Sequence, residues 1–170
     1  GVPTVMVMSG GWGKAGLPEL VASMLEFSPV QVIAIAGRNE RMRKEVADLP
    51  VPDGAKLRAF GFVDNIHELM AVSDLCVTKS GGLTTAECLA MGLPMLIPNP
   101  IPGQEERNAE YVTENGCALI ARSPGSLKYK VSKFLGDPDL RTRMQQAARD
   151  RGRPRAAAEI LADITGSAQK

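Results

Sequence analysis

The chain has 170 residues, long enough for one domain with its own core and too short for two full ones. Hydrophobic residues make up 44% and charged residues 23%, which excludes a disordered chain. Aromatic residues are only 4% and the net charge is +1, so neither a base-stacking platform nor a strongly basic surface is expected, and nucleic acid is set aside as a partner.

In chain order, short apolar runs occupy Thr4–Met8, Val30–Ala36, Leu57–Phe60, Leu75–Thr78, Met95–Ile97 and Ala118–Ala121. Each is bounded by Gly, Pro, Asn or Asp, and continuous runs of this kind suit strands of a parallel sheet buried on both faces. Helical patterns fall between them, at Pro18–Phe27, Asn65–Val72, Thr84–Met91 and Glu105–Asn115. Three more, Pro124–Leu135, Asp139–Arg149 and Arg155–Ile164, close the chain. The alternation predicts an α/β domain, a doubly wound, Rossmann-like parallel sheet of about six strands with helices on both faces.

The three cysteines, Cys76, Cys88 and Cys117, have neither metal-ligand spacing nor an even count. Cys76 and Cys88 sit in apolar surroundings and are expected to be small core residues, and reduced thiols are in keeping with a cytoplasmic location. No apolar run approaches the length of a membrane span, and no secretory signal pattern is present. The first strand begins almost at residue 1 and no initiator Met precedes it, which suggests a domain from a longer protein. Residues 122–155 hold ten Lys/Arg against three Asp/Glu, a net of +7. Two readings stand for this stretch: solvated helix faces, or attraction to anionic lipid headgroups.

Three loops carry the chemistry. The first, Ser9-Gly10-Gly11-Trp12-Gly13-Lys14-Ala15-Gly16, follows a strand and opens a helix. Its glycines would let backbone amides approach a diphosphate, and Gly11-x-Gly13-x-x-Gly16 is formally a dinucleotide fingerprint. The acid that NAD would need after the second strand is replaced by Gly37-Arg38-Asn39-Glu40, where Arg38 could meet a 2′-phosphate. The second loop, Lys79-Ser80-Gly81-Gly82-Leu83-Thr84-Thr85-Ala86-Glu87, leaves bare amides at a helix start and sets Glu87 on the same face as Thr84. Glu87 is either a ligand for a ribose diol or the third position of a capping box led by Thr84. The third loop, Pro98 to Ala109, is rich in proline and places Gln104 and Glu105 at a helix start, within reach of sugar hydroxyls or in favourable contact with the helix dipole. All three follow strands, so they converge on the carboxyl edge of the sheet, where open α/β folds bind ligands.

The blocks Gly81-Gly82-x-Thr84-Thr85-x-Glu87 and Pro102-Gly103-Gln104-Glu105-x-x-Asn108-Ala109, with Ser9–Gly13 and Gly61–Leu69, resemble the C-terminal, donor-binding half of two-domain (GT-B) glycosyltransferases. Within these the chain is most similar to processive diacylglycerol glucosyltransferases, monogalactosyldiacylglycerol synthases and the transferase that adds N-acetylglucosamine to lipid I. The resemblance runs from Pro3 to about Leu161 and implies a UDP-sugar donor. It implies that Phe62 and Val63 line the uracil pocket, that Ser80, Gly81, Gly82, Leu83 and Thr84 meet the diphosphate, and that Glu87 holds the ribose. It implies further that Gln104 and Glu105 hold the hexose, Asn108 supports their loop, and Gly10, Gly11 and Gly13 face the diphosphate and the acceptor side. Trp12 departs from the small polar residue expected there.

The resemblance also implies a lipid acceptor and a general base on an N-terminal domain outside this chain, so that residues 1–170 bind the donor without turning it over. Peripheral contact with the cytoplasmic membrane face goes with that reading, and no metal or other cofactor is expected. The alternatives are an NADP-binding domain of an oxidoreductase, a non-catalytic nucleotide-binding module, and a UDP-sugar epimerase of the same architecture.

Overall fold

The structure, a computed structural model, describes residues 1–8 and 16–166. Six strands alternate with helices: β1 (Thr4–Met8), α1 (Leu17–Leu25), β2 (Gln31–Ile35), α2 (Glu40–Ala47), β3 (Lys56–Phe60), α3 (Ile66–Ala71), β4 (Leu75–Val77), α4 (Gly82–Met91), β5 (Met95–Pro98), α5 (Gln104–Glu114), β6 (Ala118–Ala121), α6 (Pro124–Gly136), α7 (Pro138–Arg151) and α8 (Ala156–Ile164). The sheet is all parallel in the order β3-β2-β1-β4-β5-β6. Strand order reverses between β1 and β4, so α1 and α4, the helices that follow these two strands, pack on opposite faces of the sheet and leave a crevice at the carboxyl edge.

Alternate side chains of the central strands feed two separate cores. Val5 and Val7 join Leu17, Val21 and Met24 of α1, Val46 of α2 and Val131 and Phe134 of α6. Met6 and Cys76 face the other way, into Met70 of α3, Cys88 and Leu89 of α4 and Val112 of α5. This follows from the period-two alternation of a strand, which gives each face its own apolar set. β1, β4 and β5 are buried on both faces, as their continuous apolar runs predict. β3 is an edge strand, and its sequence KLRAF puts Lys56 and Arg58 in solvent, so it alternates rather than being sealed on both sides.

The helical pattern reading passes over α2. Its sequence ERMRKEVA contributes one buried residue, Val46, so no apolar stripe marks it. Its signals are local instead. Asn39 caps it, accepting from the Met42 amide at 3.0 Å, and Arg43–Glu40 and Arg41–Glu45 pair along its surface. Cys76, Cys88 and Cys117 are free thiols and all are buried. A hydrogen bond with the Cys88 thiol, reinforced by burial, pushes the Cys76 thiol well above its ordinary range. Burial likewise raises that of Cys117.

Among the described residues no helix is long and apolar enough to cross a membrane. The basic stretch lies on α6, α7 and the approach to α8, with Arg149, Arg151, Arg153 and Arg155 exposed. α8 buries no residue, and Ile160, Leu161 and Ile164 stand exposed on it.

Candidate functional site

The site is assembled from strand ends. A cleft of about 250 Å³ opens at the carboxyl edge, floored by Met8 and Ile35, the last residues of β1 and β2. Gly37, Phe62, Val63, Ile66 and Glu87 of α4 complete its lining. Phe62 and Val63 therefore share one largely apolar pocket with Glu87, a single carboxylate 24 or more positions further along the sequence. Phe62 is 65% exposed, a large aromatic left uncovered at the mouth. The Arg38 guanidinium stacks over its ring, 5.2 Å from the centroid. Arg38 is thus engaged with the aromatic rim.

α4 begins at Gly82, with Gly81 as its N-cap, and no side chain caps it. The first intrahelical bond runs from the Thr85 amide to the Gly81 carbonyl, 2.9 Å. The amides of Gly82, Leu83 and Thr84 come before that bond and point out of the helix end, where anions are favoured. The capping-box alternative is therefore overturned. The helix starts two residues earlier than its apolar pattern suggests, Thr84 is the third helical residue, and Glu87 lies a turn further on. Glu87 is exposed and lines the cleft. The Leu83 side chain is turned to solvent.

A second cluster locks the third loop to the second. Ser80, fully buried, donates from Oγ to the Glu105 carbonyl at 2.6 Å. Asn108 Nδ2 donates to the Ser80 carbonyl at 2.9 Å. Lys79 Nζ meets Glu105 Oε1 at 2.8 Å, and the other carboxylate oxygen, Oε2, is buried without a partner. Gly103 precedes α5 with φ of 108° and ψ of −127°, a conformation open to glycine and little else. That turn delivers Gln104, Glu105 and Glu106 to the first turn of α5; Gln104 is exposed, and Glu106 pairs with Arg122 at 3.6 Å.

The candidate residues thus form two adjoining groups. Phe62, Val63 and Glu87 line the cleft, Ser80, Glu105 and Asn108 form the cross-linked cluster, and Gly81–Thr84 lead from one to the other. Gly10, Gly11 and Gly13, with Trp12, lie outside the described residues. Lys79, Met8, Ile35, Gly37 and Ile66 were not singled out from sequence. The strand-end position of Met8 and Ile35 was the available signal. The sequence holds one Asp-x-Asp triplet, Asp137-Pro138-Asp139. Asp137 is the N-cap of α7, accepting from the Leu140 amide at 2.8 Å, and Pro138 lies beside Gly1–Pro3, at the opposite edge of the sheet. No group of three His, Cys, Asp or Glu among the described residues could hold a metal ion.

A doubly wound sheet with an uncapped helix start, an aromatic-rimmed cleft and a lone carboxylate at its switch point defines a nucleotide-binding type of α/β domain. Comparison with known proteins makes this specific. Residues 4–160 match the glycosyltransferase family 28 C-terminal domain, and the chain belongs to that family. It is 30% identical over 161 residues to the processive diacylglycerol beta-glucosyltransferase of Bacillus subtilis (strain 168), covering 94% of this chain and 42% of that protein. Among solved structures, MurG of Acinetobacter baumannii superposes with a TM-score of 0.76 at 22% identity, covering 96% of this chain and 50% of that one. The Staphylococcus aureus MnaA–UDP co-structure superposes with a TM-score of 0.73 at 15% identity, over 96% of this chain and 46% of that one. The fold is that of the C-terminal half of a GT-B glycosyltransferase, and the oxidoreductase alternative gains no support.

Proposed function

We propose that this chain is the donor-binding half of an enzyme that moves a hexose from a UDP-sugar onto a lipid acceptor such as diacylglycerol. The observation that carries the reading is the cleft that joins Phe62 and Val63 to Glu87 beside the uncapped start of α4. An apolar floor with an aromatic rim suits a planar base. A carboxylate accepts two hydroxyls of a ribose diol, and bare amides at a helix start suit a diphosphate. These parts occur in the order in which UDP presents them. Gln104 and Glu105, beyond the helix start, are then assigned to the hexose, Asn108 to securing their loop, and Gly10, Gly11 and Gly13 to the diphosphate.

The B. subtilis relative is named for transfer of glucose to diacylglycerol, and the MnaA structure of the same fold is a UDP complex. The chain spans under half of that relative's length, so the acceptor site and the general base are assigned to the rest of the protein. There a base takes the proton of the acceptor hydroxyl, whose oxygen attacks the anomeric carbon. The bond from that carbon to the diphosphate oxygen breaks, and the amides of Gly82–Thr84 with the α4 dipole hold the charge that develops on UDP. The exposed arginines of α7 and the uncovered Ile160, Leu161 and Ile164 of α8 support contact with an anionic membrane face, where such an acceptor resides.

Calorimetric titration of the full-length protein with UDP, UDP-hexoses and NADPH tests the reading. Binding of UDP and its sugars with no response to NADPH is expected. NADPH binding with silence toward UDP would overturn it.

A further inference from the structure

Lys79 lies between the two groups of the site. Its side-chain stem runs along Gly81, the N-cap of α4, with Cε within 3.7 Å of where a Cβ on that glycine would stand. Its ammonium ends 2.8 Å from Glu105 Oε1. The pair has the wrong form for a purely structural bridge. The Lys79 side chain is 34% exposed and Glu105 19%, so the pair is partly open to solvent. Glu105 meets it with one oxygen only, while Oε2 is buried and unpartnered, an arrangement that costs free energy unless something else completes it. Thr85 Oγ1, near the start of α4, is likewise buried without a partner. Two incompletely satisfied carriers of polar groups thus flank the same helix start.

Charge accounting at the edge points the same way. A nucleoside diphosphate brings two or more negative charges to a region that already holds the carboxylates of Glu87 and Glu105. Amides and a helix dipole supply about half a positive charge. Among the described residues, Arg38 lies over Phe62 and Arg43 pairs with Glu40. Lys79 is the cation whose present partner is itself a candidate sugar ligand. A compact ammonium with three donors can leave one carboxylate oxygen for a phosphate oxygen at little geometric cost.

Resting on the donor-binding reading above, we infer that Lys79 is the cation that meets the diphosphate, and that Glu105 is its resting counter-ion. Arrival of the donor exchanges partners: a phosphate oxygen takes the ammonium, and the released carboxylate of Glu105 turns to the hexose hydroxyls. In the empty site each ion shields the other, and in the filled site each holds a different part of the same ligand.

The test is titration of the full-length protein with uridine and with UDP, using wild type, Lys79→Met, Lys79→Arg and Glu105→Gln. Lys79→Met is expected to weaken UDP roughly 10- to 100-fold, as loss of a charge-assisted contact does, while uridine affinity stays within about twofold. Lys79→Arg keeps the charge and recovers most of the UDP affinity. Glu105→Gln removes the competing counter-ion and is expected to tighten UDP severalfold, which a merely structural brace would not do. Unchanged UDP affinity in Lys79→Met, or a loss of UDP affinity in Glu105→Gln matching that of Lys79→Met, overturns the inference and leaves the donor-binding reading standing. A wild type that binds no UDP overturns both.

Discussion

The side-chain amide of Asn108 donates to the main-chain oxygen of Ser80 at 2.9 Å, joining α5 to the turn before α4 across 28 positions of sequence. Ser80 returns a bond from its hydroxyl to the Glu105 carbonyl, one turn before Asn108 on the same helix. The two bonds close a ring between the loops that follow β4 and β5. The amino ends of α4 and α5 are thereby fixed relative to each other, and both open on the carboxyl edge. A ligand that spans the two helix starts therefore meets a preformed surface.

Glu87 is the lone carboxylate of the cleft. Glu87→Ala is expected to weaken UDP binding by about 1–3 kcal/mol, the cost of leaving ligand hydroxyls unpaired. The 2′-deoxy analogue should bind wild type more weakly than UDP does, and the variant should no longer distinguish the two. Calorimetry with both ligands decides this, and equal discrimination in variant and wild type would remove the ribose role.

Gln104 stands exposed at the first position of α5, held there by the left-handed turn at Gly103. Gln104→Ala should leave UDP affinity within about twofold and reduce the preference among UDP-hexoses by about 1 kcal/mol, one neutral hydrogen bond. A competition series with UDP, UDP-glucose and UDP-galactose measures it. Equal losses for UDP and its sugars would exclude a hexose contact.

Gly152 ends α7 against the backbone of α4. A Cβ there collides with the Leu89 carbonyl oxygen and lies 2.9 Å from its carbon and 3.1 Å from Ala90 Cα. These are main-chain atoms of a packed helix and cannot turn aside. Gly152→Ala is expected to destabilise by about 1–3 kcal/mol. Gly125, in α6 with open space around it, is the control, and Gly125→Ala should be neutral or stabilise by up to about 1 kcal/mol. Denaturant midpoints of the two variants test the contrast.

The raised Cys76 and Cys117 thiols make stability fall at alkaline pH. The folded state keeps both protons at a pH where the unfolded chain has begun to lose them. The contribution is complete below the ordinary thiol pKa of about 8.5 and declines as pH rises beyond it toward the native values. Urea midpoints between pH 7 and pH 10 should fall less steeply for Cys76→Ala than for wild type. Parallel slopes would exclude the thiol as the source.

Membrane contact through α7 and α8 predicts binding to anionic vesicles that weakens with salt, since exposed charges are screened within about 8 Å at physiological ionic strength. Arg151→Ala and Arg153→Ala should each lower partitioning roughly fivefold at low salt, at about 1 kcal/mol per basic residue. Ile160→Ser should reduce the salt-resistant remainder. Sedimentation with vesicles across a salt series reads both, and binding indifferent to ionic strength would count against the arginines.

The amino-acid sequence determines the fold class by itself. Aliphatic runs such as Met95–Ile97, bounded by Pro94 and Pro98, can satisfy their apolar surface only inside a sheet covered on both sides, and the helices between them fix the parallel arrangement. The glycine-rich turn at Ser80–Gly82 is likewise legible, because it is a local requirement of the backbone, whereas the positive φ of Gly103 shows only in the structure. Tertiary structure decides what local pattern leaves ambiguous. α2 forms from a cap and surface ion pairs with almost no apolar face, and β3 proves to be an edge. Whether Thr84 and Glu87 form a capping box depends on where α4 begins, and it begins at Gly82 with Gly81 as its N-cap. That Lys79 meets Glu105, or that Met8 and Glu87 line one pocket, depends on strand order: the sheet sets β4 between β1 and β5, while α1 and α4 pack on opposite faces.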